Sequence, residues 1–574
     1  MNLNKLTLFV LLLTGVTVSG LSPKDAAVEV RAQIGSPPSI TLTWLEDSSG
    51  TATNYTVSRM REGEVSFKEV ASLSATNTSF VDADVSPKVR YEYEILKRST
   101  NHTGVGYVYS GIDIPATEAR GTLILIAEKT VATELQPELT RLMQDLEGDG
   151  WKVLRADVLA DETVASVQSL IESYCQENPD EVKSIFLFGH VPVPYSGFVV
   201  PDGHNPDHLG AWPADLRYAC QGTWTDIRTK SISPSDPRNQ NLFGDGRFDQ
   251  STLPGAMTLQ LGRVDLSSLP SSELSEIELL RQYLNKNHSY RHGLGKFLDQ
   301  GILYDGFGSY GGEALAASGW RNFAPLFGLF STREVGPEEF LQASQSSKFL
   351  FGYACGPGTY GSLLGVGTSS EVLHAESFPV FSMLFGSYFG DWDSTDNFLR
   401  ATLATKSGGL TSCWAGRPSW YFHHMALGEP IGYSTYITQG NSGRYKLPGY
   451  GREMVHVALM GDPTLRLHVL SPPSRLTGRV RSGSVMLSWE QSEDAVDGYN
   501  IYRLNGSGTY TRLNSKPVLE TAFEDETARA SGLAHTYMVR AEKLETRGGG
   551  SYHNLSQGIF RKISLSNLKT RRRF

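Results

Sequence analysis

Thr122-Leu123-Ile124-Leu125-Ile126-Ala127 is an apolar run with no alternating polar partner, the pattern of a strand buried on both faces. A helical stretch follows it to Asp149-Gly150, where glycine supplies a stop. Trp151-Lys152-Val153-Leu154 reads as the next strand, Asp161 to Asn178 as the next helix, and Ser184-Ile185-Phe186-Leu187-Phe188-Gly189-His190 as a third strand. This alternation predicts a parallel sheet covered by helices. Gly301 to Asp305, Lys348 to Tyr353, Pro379 to Leu384 and Gly409 to Trp414 extend the same sheet. Helices over about 271–287 and 394–405 separate some of these strands. A polar stretch from Pro194 to Thr252, rich in Gly, Pro, Asp and Asn, interrupts the alternation. Insertions that long in a compact domain usually carry function.

The period changes on either side of this block. Residues 36–115 alternate apolar and polar, as in Ile40-Thr41-Leu42-Thr43-Trp44, Asn54-Tyr55-Thr56-Val57 and Tyr91-Glu92-Tyr93-Glu94-Ile95. The signature returns over 473–564, after the Pro472-Pro473 linker, in Val485 to Trp489, Gly498 to Arg503 and Thr536 to Ala541. An early-strand Trp and a late Tyr-x-Tyr resemble a fibronectin type III sandwich with its tyrosine corner. The fold class is therefore multidomain: a central α/β domain over 120–470 between two all-β modules.

Composition narrows the function. A chain of 574 residues has room for roughly three or four domains. Its formal net charge of −9 excludes a general nucleic-acid binder, which needs a basic excess. The tail at 565–574, with Arg571, Arg572 and Arg573, reads as a solvated end. Lys5, the apolar run Leu6 to Val18 and then Ser19-Gly20 have the order of a secretory signal peptide over 1–20. That run is too short for a membrane span, so the expectation is an exported protein: periplasmic, cell-surface or extracellular. Cys175, Cys220, Cys355 and Cys413 form no CxxC pair, which indicates neither a disulfide framework nor a thiolate metal site.

Leu261-Gly262-Arg263-Val264-Asp265 and the closing Leu459-Met460-Gly461-Asp462-Pro463-Thr464, in this order on a parallel-sheet pattern, resemble the gingipain-type, caspase-fold cysteine peptidases over residues 120–470. The resemblance implies a base in a Gly-His-Gly turn. The corresponding stretch is Tyr353-Ala354-Cys355-Gly356-Pro357-Gly358, which has no histidine. It also implies a Cys-x-x-Gly-Asp-aromatic nucleophile motif. Here Ser387-Tyr388-Phe389-Gly390-Asp391-Trp392 puts serine at the cysteine position. With the dyad substituted, the expectation is a protein that binds or scaffolds a polypeptide or a glycan at the cell surface. A diverged cysteine or serine peptidase is one alternative, and a carbohydrate- or protein-binding adhesin is another.

Ligands gather at the carboxyl ends of strands in open parallel sheets, and those ends offer His190, Asp305, Cys355 and Ser387. A thiol at Cys355 or a hydroxyl at Ser387 needs a base. His190, His374, His423 and His424 are the candidates for that base. Trp414, Arg417, Trp420, His423 and His424 combine aromatics with a cation, suiting either a carboxylate or sugar pocket or a packed supporting loop. Asp245 and Asp249 have oxygen donors at a spacing for calcium, without the glutamate of an EF-hand; an Asx-turn competes. Asp202-Gly203-His204 and Asp207-His208 offer imidazole and carboxylate metal donors, or two solvated turns.

Overall fold

A computed structural model describes residues 21–228, 234–309, 313–414, 419–446 and 453–564, apart from 482, 507 and 531–533. The signal-peptide stretch 1–20 and the basic tail 565–574 lie outside the described residues. Among the described residues no helix is long and apolar enough to cross a membrane.

The apolar runs do form one sheet. Its order is Thr332–Glu334, Leu298–Asp305, Phe349–Cys355, Phe381–Phe385, Thr411–Trp414, Ala458–Gly461, Gln260–Val264, Val182–Phe188, Gly121–Glu128, Trp151–Val158. Leu123 to Ala127 are wholly buried, as a strand covered on both faces must be. Ala458–Gly461 pairs antiparallel with Thr411–Trp414 and parallel with Gln260–Val264. That reversal interrupts the expected parallel sheet. The loop after Phe381–Phe385 reaches the carboxyl ends of Val182–Phe188 and Gln260–Val264, where donor atoms of His190, Asp265 and Asp393 lie within 4.8 Å of one another.

The long insertion is ordered over most of its length. Tyr195–Val199 and Gly210–Pro213 pair as an antiparallel hairpin. Trp212 of this hairpin stacks on Trp414 of the sheet, with ring centroids 5.6 Å apart. The insertion is thereby laid over the end of Thr411–Trp414.

Each all-β module packs a three-stranded sheet against strands of a second sheet. In the first module Trp44 packs on Tyr55, and in the second Trp489 packs on Tyr499. The same polar arrangement repeats in both. Asp82 accepts from Arg59 at 2.8 Å and from Tyr93 at 2.9 Å; Asp525 accepts from Arg503 at 2.6 Å and from Tyr537 at 2.8 Å. The first module begins upstream of Ser36, because Val30–Gly35 pairs with Ser39–Trp44. The modules are also not separate beads. Gly550–Leu555 of the second pairs in parallel with Thr103–Ile114 of the first, fusing them into one sheet of nine strands.

A buried carboxylate ties this sheet to the α/β domain. Asp149, at the C-cap of helix Gln136–Gly148, lies 2.9 Å from Arg466, 3.6 Å from Arg540, 3.7 Å from Arg291 and 3.8 Å from Arg120. Arg466 also donates to the carbonyl of Leu555 in the second module. Burial opposes the charge on Asp149, but these guanidinium groups hold it below the ordinary carboxylate range.

Candidate active site

Strand Phe381–Phe385 ends at Gly386, and Ser387 follows as the first residue of the loop toward Asn397. Gly386 packs under Phe389, and its carbonyl accepts from the Trp414 indole at 3.1 Å. Trp414 thus holds the strand end in place. Gly358 allows the neighbouring loop to approach: a Cβ there would sit 3.1 Å from the Ser387 nitrogen. Beyond Gly358 opens a cavity of about 790 Å³ lined by Glu338, Pro357, Leu363, Val366 and Glu371.

The insertion supplies what the sheet does not. Ser387 Oγ lies 2.7 Å from His204 Nε2, within proton-transfer distance. The His204 ring stacks on Tyr388, with centroids 4.9 Å apart. Asp202 organises both sides of this contact. Its Oδ1 accepts the backbone N–H of His204 at 3.2 Å. Its Oδ2 accepts the Tyr388 backbone N–H at 3.0 Å and pairs with His208 Nδ1 at 2.7 Å. Tyr388 has φ 70°, a left-handed conformation unusual for a bulky residue, held in part by that N–H bond.

Behind this layer, His208 is wedged between two carboxylates, Asp202 and Asp391, the latter 3.3 Å from Nε2. Arg238 donates to Asp391 at 2.6 Å. Burial lowers the affinity of His208 for a proton, yet the bonds to Asp202 and Asp391 outweigh it and raise the imidazole above its ordinary value. Asp202 shifts the opposite way: burial raises it, and the His208 hydrogen bond and charge bring it below the usual range.

The arrangement offers a hydroxyl with an adjacent imidazole, the minimum for nucleophilic catalysis by serine. Among the described residues, no hydrogen bond is made by His204 Nδ1, so the pair is a dyad without an orienting acid on the ring.

Most of the residues expected from sequence fall elsewhere. Cys355 is wholly buried at the end of Phe349–Cys355, and its thiol donates to Asp305 at 3.3 Å. Burial first, and the Asp305 charge second, push that thiol well above its usual value, the reverse of an activated thiolate. His190 Nδ1 bonds Asp265 at 2.8 Å, in a cluster with Asp393. The hydrogen bond raises the imidazole against the pull of burial. Arg400 shares Asp265, at 3.3 Å.

The aromatic-rich loop is corrected from a pocket to a core. Trp414, Trp420, His423 and His424 are all buried. His423 bonds Glu92 of the first module at 2.7 Å, and Tyr445 donates to Glu92 at 2.8 Å. Burial and the charge of neighbouring His424 drive His423 down to about 3, so it packs as a neutral ring. Arg417 lies outside the described residues. His374 bonds the Ser370 carbonyl within its own helix turn.

The calcium reading of Asp245 and Asp249 is corrected as well. Asp245 accepts the backbone N–H groups of Leu242 and Arg247, and Asp249 accepts from Thr225 and Ile227. Arg247 and Arg228 lie beside the two carboxylates. Both oxygens of Asp245 and the Oδ2 of Asp249 already accept N–H or O–H donors beside arginine, which suits an Asx-type turn better than a cation cage. The sequence offered His204 and His208 as metal donors or solvated turns, not as partners of Ser387, because their loop has no periodicity. The one available signal was two Asp/His pairs inside a long insertion.

No family model matches the chain, and no curated protein matches it. Solved structures do. The chain is similar to the Arg-specific cysteine proteinase gingipain R (RgpB), at 12% identity and a TM-score of 0.47, the match covering 78% of this chain and 100% of that one. The complex of Porphyromonas gingivalis RgpB pro- and mature domains matches with the same identity and TM-score, over 77% of this chain and 100% of that one. An Fn3-like protein from Clostridium thermocellum matches at 21% identity and a TM-score of 0.13, over 16% of this chain and 92% of that one.

Proposed function

We propose that the protein is an exported hydrolase acting on polypeptides, with Ser387 as nucleophile and His204 as general base. The observation that carries this reading is the 2.7 Å contact between Ser387 Oγ and His204 Nε2. It favours hydrolysis over the binding-only role expected from the substituted motifs. A serine hydroxyl is inert at neutral pH without a base, and this structure puts one beside it. In the proposed step, Ser387 Oγ attacks the substrate carbonyl carbon while its proton passes to His204 Nε2. His204 then returns that proton to the leaving amine, and water releases the acyl group by the reverse sequence. Asp202 and His208 act through position, fixing the backbone of His204 and Tyr388 around the serine. The division into 36–115, 120–470 and 473–564, with fibronectin type III-like flanks and export by the 1–20 segment, belongs to this reading.

A serine-directed fluorophosphonate probe on purified protein tests it. Labelling is expected in the wild type, absent in Ser387→Ala, and reduced about 100-fold or more in His204→Gln, the usual contribution of a general base. Labelling that persists in Ser387→Ala would sink the assignment.

The second reading, a site that binds polypeptide or glycan without cleaving it, draws on the exposed His204 ring and its Nδ1, which makes no hydrogen bond among the described residues. Absence of labelling in the wild type, with retained peptide or glycan binding, would favour it.

A further inference from the structure

Asp145 on helix Gln136–Gly148 stands opposite His288 and His292, one turn apart at the end of helix Glu276–Arg291. His288 Nδ1 lies 2.7 Å from Asp145 Oδ2, and His292 Nε2 lies 2.9 Å from Asp145 Oδ1. The two rings are 4.1 Å apart. We propose that these three side chains bind a divalent transition ion of the zinc class, which clips the two helices together.

Four clusters of this composition exist among the described residues, and three already contain a cation. Lys97 sits 2.7 Å from Asp47 in the cluster with Asp25 and His102. Arg400 sits on Asp265 in the cluster with His190 and Asp393. Arg444 sits 2.7 Å from Glu92 in the fully buried cluster with His423 and His424. Asp145 has no lysine or arginine within ion-pair distance among the described residues. Arg291, on the same helix, is engaged by Asp462 at 2.7 Å.

The donor set is also held rigidly and open to solvent. Arg281 pairs with Glu138 at 2.9 Å and Arg141 with Asn285 at 2.6 Å, pinning the same two helices one and two turns away. The side chains of His288 and His292 are 27% and 19% exposed, leaving room for a water as fourth ligand. Zinc bonds of about 2.0–2.1 Å place tetrahedral ligand atoms about 3.3 Å apart, so the present contacts need widen by only about half an ångström. Each neutral imidazole would carry its proton on the ring nitrogen away from the ion. The C-terminal end of helix Glu276–Arg291 favours a cation there. Two imidazoles with one carboxylate select zinc, copper or nickel over calcium or magnesium.

The test is titration of the metal-stripped full-length protein with zinc chloride by calorimetry, with cobalt(II) absorption reporting geometry. One equivalent of zinc should bind at micromolar concentration, and calcium should not. The His288→Ala/His292→Ala double variant should lose that equivalent, and Asp145→Asn should weaken it about tenfold. His374→Ala should leave it intact. Where the double variant fails to fold by circular dichroism, His292→Gln, which keeps a hydrogen bond to Asp145, should still weaken zinc at least tenfold. No zinc uptake by the wild type, or equal uptake by the folded variants, overturns the proposal.

Discussion

Asp202→Asn probes the site without touching either reacting atom. The carboxylate accepts three N–H groups: His204 N on Oδ1, and Tyr388 N and His208 Nδ1 on Oδ2. Asparagine has one acceptor oxygen, so its NH₂ must face at least one of these donors. Asp202 is only 4% exposed, and water cannot readily take the lost place. A hydrogen bond to a charged group contributes about 1.5–3 kcal/mol, so local opening should become easier by about that much. Because the chain is multidomain, a single unfolding free energy is poorly defined. Hydrogen exchange of the segments around 202–208 and 386–391 measures the local quantity instead. Protection there should fall about tenfold to 150-fold, while Leu123 to Ala127 keep theirs.

The pH dependence carries a sign. Asp202 is lowered in the fold, so its contribution is present above the unfolded value near pH 4 and lost as pH falls through the folded one. His208 is raised, so the same interaction is fully present below about pH 6.5 and lost as pH rises through its folded value. These are two views of one pair and count once. In the variant both limbs flatten. A change in protection under about threefold, or an unchanged pH profile, would refute the reasoning.

Asp149→Ala leaves four buried guanidinium groups without their shared carboxylate. The expected cost is at least about 3–5 kcal/mol, read as a large drop in thermal midpoint or loss of soluble protein; an unchanged midpoint would contradict it. Gly390→Ala places a Cβ 1.8 Å from the buried Trp414 ring. Overpacking of that kind costs about 1–3 kcal/mol or more. Because Trp414 bonds Gly386, fluorophosphonate labelling of Ser387 should fall together with the thermal midpoint. Cys355 should resist iodoacetamide in the native protein and react only on unfolding, as a buried protonated thiol must. Native-state alkylation as fast as that of the half-buried Cys175 would count against its placement.

Local pattern determined the elements. Buried strands such as Thr122 to Ala127 declare themselves by unbroken apolar runs, and the sandwiches by alternation around Trp44 and Trp489, because burial of each face is written residue by residue. Ser387 was visible too, as a hydroxyl where the resembled family has a thiol. Pairing between distant segments has no such local record. Only the tertiary structure shows that Ala458–Gly461 runs antiparallel to Thr411–Trp414 and that His190 is engaged by Asp265. It alone buries Cys355 against Asp305, and it alone folds the aperiodic 194–252 insertion so that His204 meets Ser387 across 183 residues of chain. A general base is defined by a distance of a few ångströms in space, and sequence spacing does not encode that distance.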